Sequence, residues 1–144
     1  MHWTLAQIAA VLGSVPPNGP AAVAADAVCT GVSIDSRTVR AGELFFALRG
    51  PRHDGHNYVA AALAAGAVAA VVARAHLGTL PAELQGRLLV VEDTLAALQH
   101  LAREVRRRWA QAGSDRRLAA ITGSTGKTTT KEILAALVAT RRRV

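Results

Sequence analysis

The sequence predicts an α/β fold in which strands alternate with helices. Apolar residues recur at helical spacing over 5–12 and again over 94–111. Between them lie compact apolar runs of strand length, Leu44–Leu48, Ala67–Val72 and Leu88–Val91. Hydrophobic residues occupy 51% of the 144 positions but aromatic residues only 3%, so we expect a core built from Ala, Val, Leu and Ile.

The first quarter of the chain begins with a short amphipathic helix. Thr4 is a suitable N-cap, Leu5 to Leu12 supply an apolar stripe, and Gly13 ends the helix. A loop rich in proline and glycine follows over 16–20, and alternation over Val28–Ile34 predicts the first strand.

The remaining elements continue the alternation of strands and helices. Leu44–Leu48 is predicted as a buried strand, 58–66 as a helix, and Ala67–Val72 and Leu88–Val91 as further strands. A long helix is predicted over Thr94–Gln111. A turn over 113–117 then leads into a last strand, Leu118–Thr122.

The net charge of +7 raises the question of nucleic-acid binding. The charge is concentrated in two arginine clusters, Arg103 with 106–108 and Arg141–Arg143, both of which fit solvated helix faces and helix ends. Only Trp109 accompanies them, whereas single-strand binding needs several stacking aromatic residues. We therefore expect no nucleic-acid partner.

Several other classes of protein are disfavoured. Apolar runs such as Ala67–Ala73 are far shorter than the roughly 20 residues that cross a bilayer, so no membrane partner is expected. The N-terminus lacks the pattern of an export signal, which predicts a cytoplasmic location. The single cysteine, Cys29, excludes an intramolecular disulfide and is expected to be buried.

The strongest motif is a glycine-rich loop between the last predicted strand and a following helix. Backbone N–H groups at a helix N-terminus attract phosphate, and the glycines let the backbone curl without a Cβ clash. Lys127 can reach the β- and γ-phosphates, and the Thr128 hydroxyl can bind Mg²⁺. The predicted nucleotide-binding residues are Gly123, Ser124, Thr125, Gly126, Lys127, Thr128 and Thr129.

The spacing of this loop is shorter than the common P-loop pattern. Ile121 stands where that pattern has its first glycine, so an accidental Gly-Lys-Thr sequence in a plain turn is the alternative interpretation. The order of strand, loop and helix favours the phosphate site. The Gly-x-Gly-x-x-Gly fingerprint of dinucleotide binding does not occur.

The loop sequence 122–132 resembles the ATP-binding loop of the Mur ligases, cytoplasmic enzymes that add amino acids to the UDP-N-acetylmuramoyl peptide precursor of the bacterial cell wall. Three upstream segments, 33–37, 41–50 and 54–56, resemble the uridine-nucleotide-binding N-terminal domain of the members that add the third residue or the terminal dipeptide. The opening Trp3-Thr4-Leu5 and the pair Lys131-Glu132 are most similar to the dipeptide-adding members. The resemblance covers nearly the whole chain.

The resemblance implies a fold, a reaction and a set of site residues. The fold is a small mixed α/β UDP-binding domain over 1–92, followed over 93–144 by the first strand, P-loop and helix of a parallel-sheet ATPase domain. The implied reaction joins D-alanyl-D-alanine to UDP-N-acetylmuramoyl-tripeptide through an acyl phosphate, with ATP and Mg²⁺, in a monomer. Lys127 and Thr128 are the implied catalytic residues, with Thr128 also on the metal. By position, the resemblance assigns UDP binding to Ile34, Ser36, Pro51, Arg52 and His53.

Elementary chemistry supports part of the substrate assignment. Asp35 and Ser36 offer hydrogen bonds to a uracil edge or a ribose, and Arg37 or Arg52 can bind a diphosphate. The alternative is that 35–37 forms a turn with local side-chain hydrogen bonds. His53 and His56 are spaced like metal ligands, but with Asp54 alone beside them a surface or substrate-facing turn is favoured.

The chain is expected to be inactive in catalysis alone, because the sequence after the loop offers only one helix and no further strands. Three rival functions stay open: a ligase that adds the third residue, a generic P-loop nucleotide hydrolase, and a non-enzymatic binding module.

Overall fold

A computed structural model describes residues 3–15, 23–113 and 118–140, in two compact units, 1–108 and 109–144. The first unit extends beyond the predicted domain boundary at 92/93. Ala97 and Leu101, which belong to the helix after that boundary, are buried in its core. The loop predicted over 16–20, the turn residues 114–117 and the cluster Arg141–Arg143 lie outside the described residues.

The N-terminal helix is confirmed. Strand β1 (Trp3–Thr4) leads into α1 (Leu5–Leu12), where the Thr4 side chain accepts a hydrogen bond from the Gln7 amide and the Gln7 side chain accepts one from Thr4. This capping box satisfies two N-terminal donors. Gly13 ends the helix in the left-handed conformation, with φ 64°.

The predicted strand Val28–Ile34 is wrong in its extent, because two strands replace it. β2 (Val28–Cys29) pairs antiparallel with β1, whereas β3 (Gly31–Ser33) pairs in parallel with β4 (Glu43–Phe46). The chain changes sheets at Thr30. The alternation of side chains is continuous through this change, so the pattern alone shows one strand.

The main sheet contains four parallel strands in the order β3-β4-β5-β6, with β5 at Ala69–Ala73 and β6 at Leu88–Val91. β6 has the predicted bounds, while β4 and β5 are displaced by one or two residues. Between β4 and β5 lie a 3₁₀ helix (Gly55–Tyr58) and α2 (Val59–Ala64), in place of one helix over 58–66. Two further 3₁₀ helices, Arg74–Thr79 and Ala82–Arg87, connect β5 to β6, and α3 has the predicted bounds Thr94–Gln111.

Both faces of the sheet are covered, as a parallel sheet requires. Leu44 and Phe46 of β4 point towards the face that α1 and α3 cover, whereas Phe45 points towards the α2 face. Cys29 is fully buried on the first face, and burial raises the pKa of its thiol to about 11. The sequence expectation of a buried cysteine is confirmed.

The second unit contains α4 (Lys127–Ala139), and none of the residues of this helix is buried. The predicted strand Leu118–Thr122 is wrong, because these residues are not in a strand. A strand needs a neighbour for its hydrogen bonds, and among the described residues no strand lies in the second unit. No helix within the described parts of the chain has the length and apolar character that crossing a membrane requires.

Candidate functional site

A pocket of about 410 Å³ lies at the carboxyl ends of β3 and β4. In open parallel sheets, ligands bind outside this end of the strands. The turn after β3 forms one side, the end of β4 forms the floor, and the segment leading to α2 forms the other side. Its lining consists of Ile34, Asp35, Ser36, Arg37, Phe45, Leu48, His53, Gly55 and Tyr58.

The turn after β3 is held by its own side chains. The Arg37 amide and Nε donate to Asp35 Oδ1 at 3.0 and 2.9 Å, and Arg37 Nη2 donates to Oδ2 at 2.6 Å. Ser33 Oγ donates to the Asp35 carbonyl at 3.0 Å. The hydrogen bonds from Arg37 lower the pKa of Asp35 to about 2. The turn therefore has the local bonding of the alternative interpretation, and it also lines the pocket.

The pocket brings together five of the seven predicted substrate residues, namely Ile34, Asp35, Ser36, Arg37 and His53. Pro51 and Arg52 are exposed on the preceding loop and do not line it. Because Asp35 holds Arg37 with both oxygens, its carboxylate is less available to a uracil edge than expected.

Sequence reasoning missed four lining residues, Phe45, Leu48, Gly55 and Tyr58. Phe45 and Leu48 lie within the quoted segment 41–50 and Gly55 within 54–56, and this position is the only signal for them, whereas Tyr58 has none.

Close backbone packing fixes the wall that Gly55 forms. The Gly55 amide donates to the Leu48 carbonyl at 2.8 Å, and a Cβ at Gly55 would lie 2.7 Å from the Leu48 nitrogen. Only glycine fits at that distance. The buried Thr94 hydroxyl at the start of α3 donates to the Ala47 carbonyl at 3.0 Å, so it anchors the same end of β4.

His53 and His56 do not form a pair. His53 is exposed and lines the pocket, whereas His56 is only 4% exposed, so the expectation of a surface turn is wrong for His56. His56 instead contacts Asp54 and stacks on His76, and the donor atoms of these three residues lie within 4.8 Å of one another. Burial raises the pKa of Asp54, but the hydrogen bonds from the amide and the ring of His56 outweigh this effect, so the pKa of Asp54 is lowered.

The predicted phosphate loop precedes the N-terminus of α4. Gly123 and Gly126 have φ angles of 150° and 74°, which other residues rarely adopt. The first hydrogen bond within the helix is donated by the Thr130 amide to the Gly126 carbonyl at 2.9 Å. The amides of residues 127–129 therefore come before the first i to i−4 hydrogen bond of the helix. These donors and the helix dipole suit an anion.

Lys127 is the first residue of α4 and folds back over the loop. Its Nζ donates to the Gly123 carbonyl and, at 3.4 Å, to the Ser124 carbonyl. Ser124, Thr125, Thr128 and Thr129 are exposed. The donor set fits a triphosphate, and the Thr128 hydroxyl fits a hard cation such as Mg²⁺. Binding a phosphate requires Lys127 to exchange its carbonyl contacts for phosphate oxygens.

Residues 28–106 match the Mur ligase family, catalytic domain. The chain belongs to the Mur ligase family. The matched range contains β3 to β6 and every residue that lines the pocket.

Two curated relatives show which members it is similar to. The UDP-N-acetylmuramoyl-tripeptide–D-alanyl-D-alanine ligase of Synechocystis is 42% identical over 114 residues, covering 77% of this chain and 22% of the relative. The UDP-N-acetylmuramoyl-L-alanyl-D-glutamate–2,6-diaminopimelate ligase of Chlorobaculum tepidum is 39% identical over 116 residues, covering 79% and 21%. The chain thus spans about a fifth of the length of these relatives.

Solved structures of MurF have the same mixed α/β fold. MurF from Acinetobacter baumannii matches with a TM-score of 0.71 and 31% identity, covering 98% of this chain and 28% of that one. MurF from Thermotoga maritima, in complex with ADP, matches with a TM-score of 0.54 and 34% identity, covering 77% and 23%. The predicted mixed α/β class is therefore confirmed, and the parallel sheet lies within residues 31–91.

Proposed function

We propose that this chain supplies the uridine-nucleotide site and the phosphate loop of a ligase that joins D-alanyl-D-alanine to UDP-N-acetylmuramoyl-tripeptide. The observation that carries the proposal is the pocket, where the turn after β3 and the loop containing His53 meet at the carboxyl ends of two parallel strands. The names of the relatives supply the chemical class of the substrate.

The pocket chemistry suits the uridine diphosphate end of the precursor. Tyr58 is 44% exposed and offers an aromatic face to a flat base, with Ile34 on the opposite turn. The Ser36 hydroxyl can bond a base edge or a ribose. Asp35 engages Nε and one Nη of Arg37, so the other guanidinium N–H groups are able to bond a diphosphate.

The phosphate loop suits ATP with Mg²⁺. The amides of the first turn of α4 and the Lys127 ammonium would bind the β- and γ-phosphates, and Thr128 would bind the cation. In the proposed reaction the γ-phosphate activates the terminal carboxylate of the peptide as an acyl phosphate, from which the incoming amine displaces phosphate. Lys127 and the loop amides contribute by positioning the phosphates and neutralising charge. The ADP complex of a similar MurF supports the nucleotide assignment.

We infer that the 144-residue chain alone has no ligase turnover. No residue of α4 is buried, so nothing in the described structure fixes this helix for catalysis. Within the described loop and α4, Thr128 is also the only residue that we assign to the cation. We further propose a monomer located in the cytoplasm.

Separate calorimetric titrations of UDP-N-acetylmuramoyl-tripeptide and of Mg-ATP test the proposal. We expect the UDP-sugar to bind, and Tyr58→Ala to weaken this binding about tenfold through loss of stacking. Val28→Ala is the matched control, because Val28 is also a half-exposed apolar residue but lies in the small sheet. Binding of ATP without any binding of the UDP-sugar contradicts the proposal and favours a generic nucleotide hydrolase.

The second candidate is a ligase that adds the third residue, which the similarity to the diaminopimelate-adding enzyme favours. The same titration with UDP-N-acetylmuramoyl-dipeptide distinguishes the two ligases. Tighter binding of the tripeptide precursor supports the first candidate, and tighter binding of the dipeptide precursor supports the second.

A further inference from the structure

A cluster of Asp54, His56 and His76 lies behind the pocket wall. Asp54 Oδ1 is 2.6 Å from His56 Nδ1, and Asp54 Oδ2 is 3.2 Å from His76 Nε2. The two imidazole rings stack with centroids 3.9 Å apart and planes 9° apart. Each carboxylate oxygen of Asp54 therefore contacts a different histidine.

His56 connects this cluster to the main sheet. Its Nε2 accepts a hydrogen bond from the Ala73 amide at 2.9 Å, at the end of β5. Since Nε2 is an acceptor, the ring proton lies on Nδ1 and is donated to Asp54. The Asp54 carboxylate also accepts from the His56 amide at 2.9 Å. Asp54 is thus fixed to β5 through a buried ring.

The same residue types bind metals, but the geometry opposes a metal site. A metal on Nδ1 of His56 would leave the ring without a proton on either nitrogen, because the other nitrogen accepts from Ala73. A metal also lies in the plane of each imidazole that binds it. Stacked parallel rings direct their lone pairs along separate planes, so they cannot converge on one ion.

His76 has no other described role. It lies in the 3₁₀ helix after β5, and its buried Nδ1 has no hydrogen-bond partner within the described part of the chain. An unpaired buried nitrogen is unfavourable. The contacts that favour this placement are those with Asp54 and with the ring face of His56.

Asp54 lies between two residues that line the pocket but does not line it itself. His53 and Gly55 line the pocket, whereas Asp54, between them, directs its carboxylate to the two histidines. We propose that His76 is a positioning residue, which contacts Asp54 through its Nε2 and stacks on His56, and so fixes the His53–Gly55 wall for the uridine nucleotide. This proposal rests on the proposed function of the pocket.

The test compares His76→Ala with Leu77→Ala. Leu77 lies in the same 3₁₀ helix and packs on the α2 side of the core, so it controls for loss of stability. We expect His76→Ala to weaken calorimetric binding of UDP-N-acetylmuramoyl-tripeptide about fivefold to tenfold. Leu77→Ala should lower the thermal midpoint but retain wild-type affinity.

Two further variants separate the contacts. His76→Gln keeps an N–H group that can contact Asp54 but lacks the ring face, so its affinity should lie between those of His76→Ala and the wild type. His76→Phe retains the ring face without a nitrogen, and it replaces His76→Ala if that variant does not fold. Without ligand, the Gly55 amide resonance should move in His76→Ala and not in Leu77→Ala.

The outcomes are distinguishable from failure of the proposed function. If the wild type binds and His76→Ala binds equally well, or if Leu77→Ala loses as much affinity, the positioning proposal is overturned while the uridine site stands. If the wild type does not bind the UDP-sugar, the proposed function fails. In that case the chemical shift of the Gly55 amide is the remaining test of the positioning role. An unchanged shift in His76→Ala overturns this role, and a displaced shift supports it.

Discussion

Replacing Gly55 with alanine tests the close packing that shapes the pocket wall. An added Cβ would lie 2.7 Å from the Leu48 nitrogen, 2.8 Å from the Leu48 oxygen and 2.9 Å from the Ala47 carbonyl carbon. The shortest of these distances is about 0.7 Å less than the 3.4 Å at which ordinary contact begins. All three atoms belong to the backbone, so no side-chain rotation relieves the overlap.

We therefore expect Gly55→Ala to lower the free energy of unfolding by about 2–3 kcal/mol, the upper part of the range for overpacking. In a unit of this size the thermal midpoint falls by roughly 10 °C or more. Circular dichroism at 222 nm measures the midpoint. Calorimetry below the transition should also show weaker binding of the UDP-sugar, because the overlap displaces the wall.

Gly78→Ala is the matched control. Gly78 is exposed in the 3₁₀ helix Arg74–Thr79, and no atom lies within 4 Å of a Cβ built there. Its midpoint should stay within about 2 °C of wild type, or rise slightly through the reduced freedom of the unfolded chain. If the thermal midpoint of Gly55→Ala equals that of the wild type, the backbone around Leu48 is not packed as described and the reasoning is refuted.

The remaining predictions concern the anchor of β4, the turn and the phosphate loop. Thr94→Val should lower the free energy of unfolding by about 1–2 kcal/mol in urea denaturation, because it leaves the Ala47 carbonyl unpaired, whereas Thr94→Ser should stay close to wild type. Carbon NMR should give a pKa of about 2 for Asp35, and this pKa should rise towards 3.8 in Arg37→Gln. Because the pKa of Asp35 is depressed in the folded state, the contribution of this carboxylate to stability is complete well above pH 3.8 and is lost as the pH falls towards 2. Lys127→Ala should abolish calorimetric binding of Mg-ATP, and unchanged affinity would contradict the phosphate assignment.

The sequence predicts best the elements whose signal is local. α1, α3 and β6 have the predicted bounds because Thr4, Gly13 and the apolar spacing of each segment are enough to define them. The division at Thr30 could not be predicted, since it depends on pairing with Trp3–Thr4 on one side and Glu43–Phe46 on the other. These partners are distant in sequence, and a period of two does not identify them.

The same distinction applies to the candidate site. Ile34 to Arg37 and His53 carry recognisable motifs, and the structure brings them together. Tyr58 lies in a segment with helical character and has no pattern of its own. The contact of Asp54 with His76 depends on where the chain after β5 returns, which only the fold determines.

The two sites differ in what holds them in place. The pocket proposed to bind uridine is connected to the buried sheet through Thr94, Gly55 and the bond from the Ala73 amide to His56, so it is formed before a ligand arrives. The loop proposed to bind phosphate depends on local bonds, chiefly those of Lys127, beside a helix whose Leu137 is 65% exposed. Ligand binding at a preformed site requires little ordering, so little of the binding free energy is lost. A loop that must first break its own contacts loses more of it. In the 144-residue chain, we therefore expect the UDP-sugar to bind more tightly than ATP.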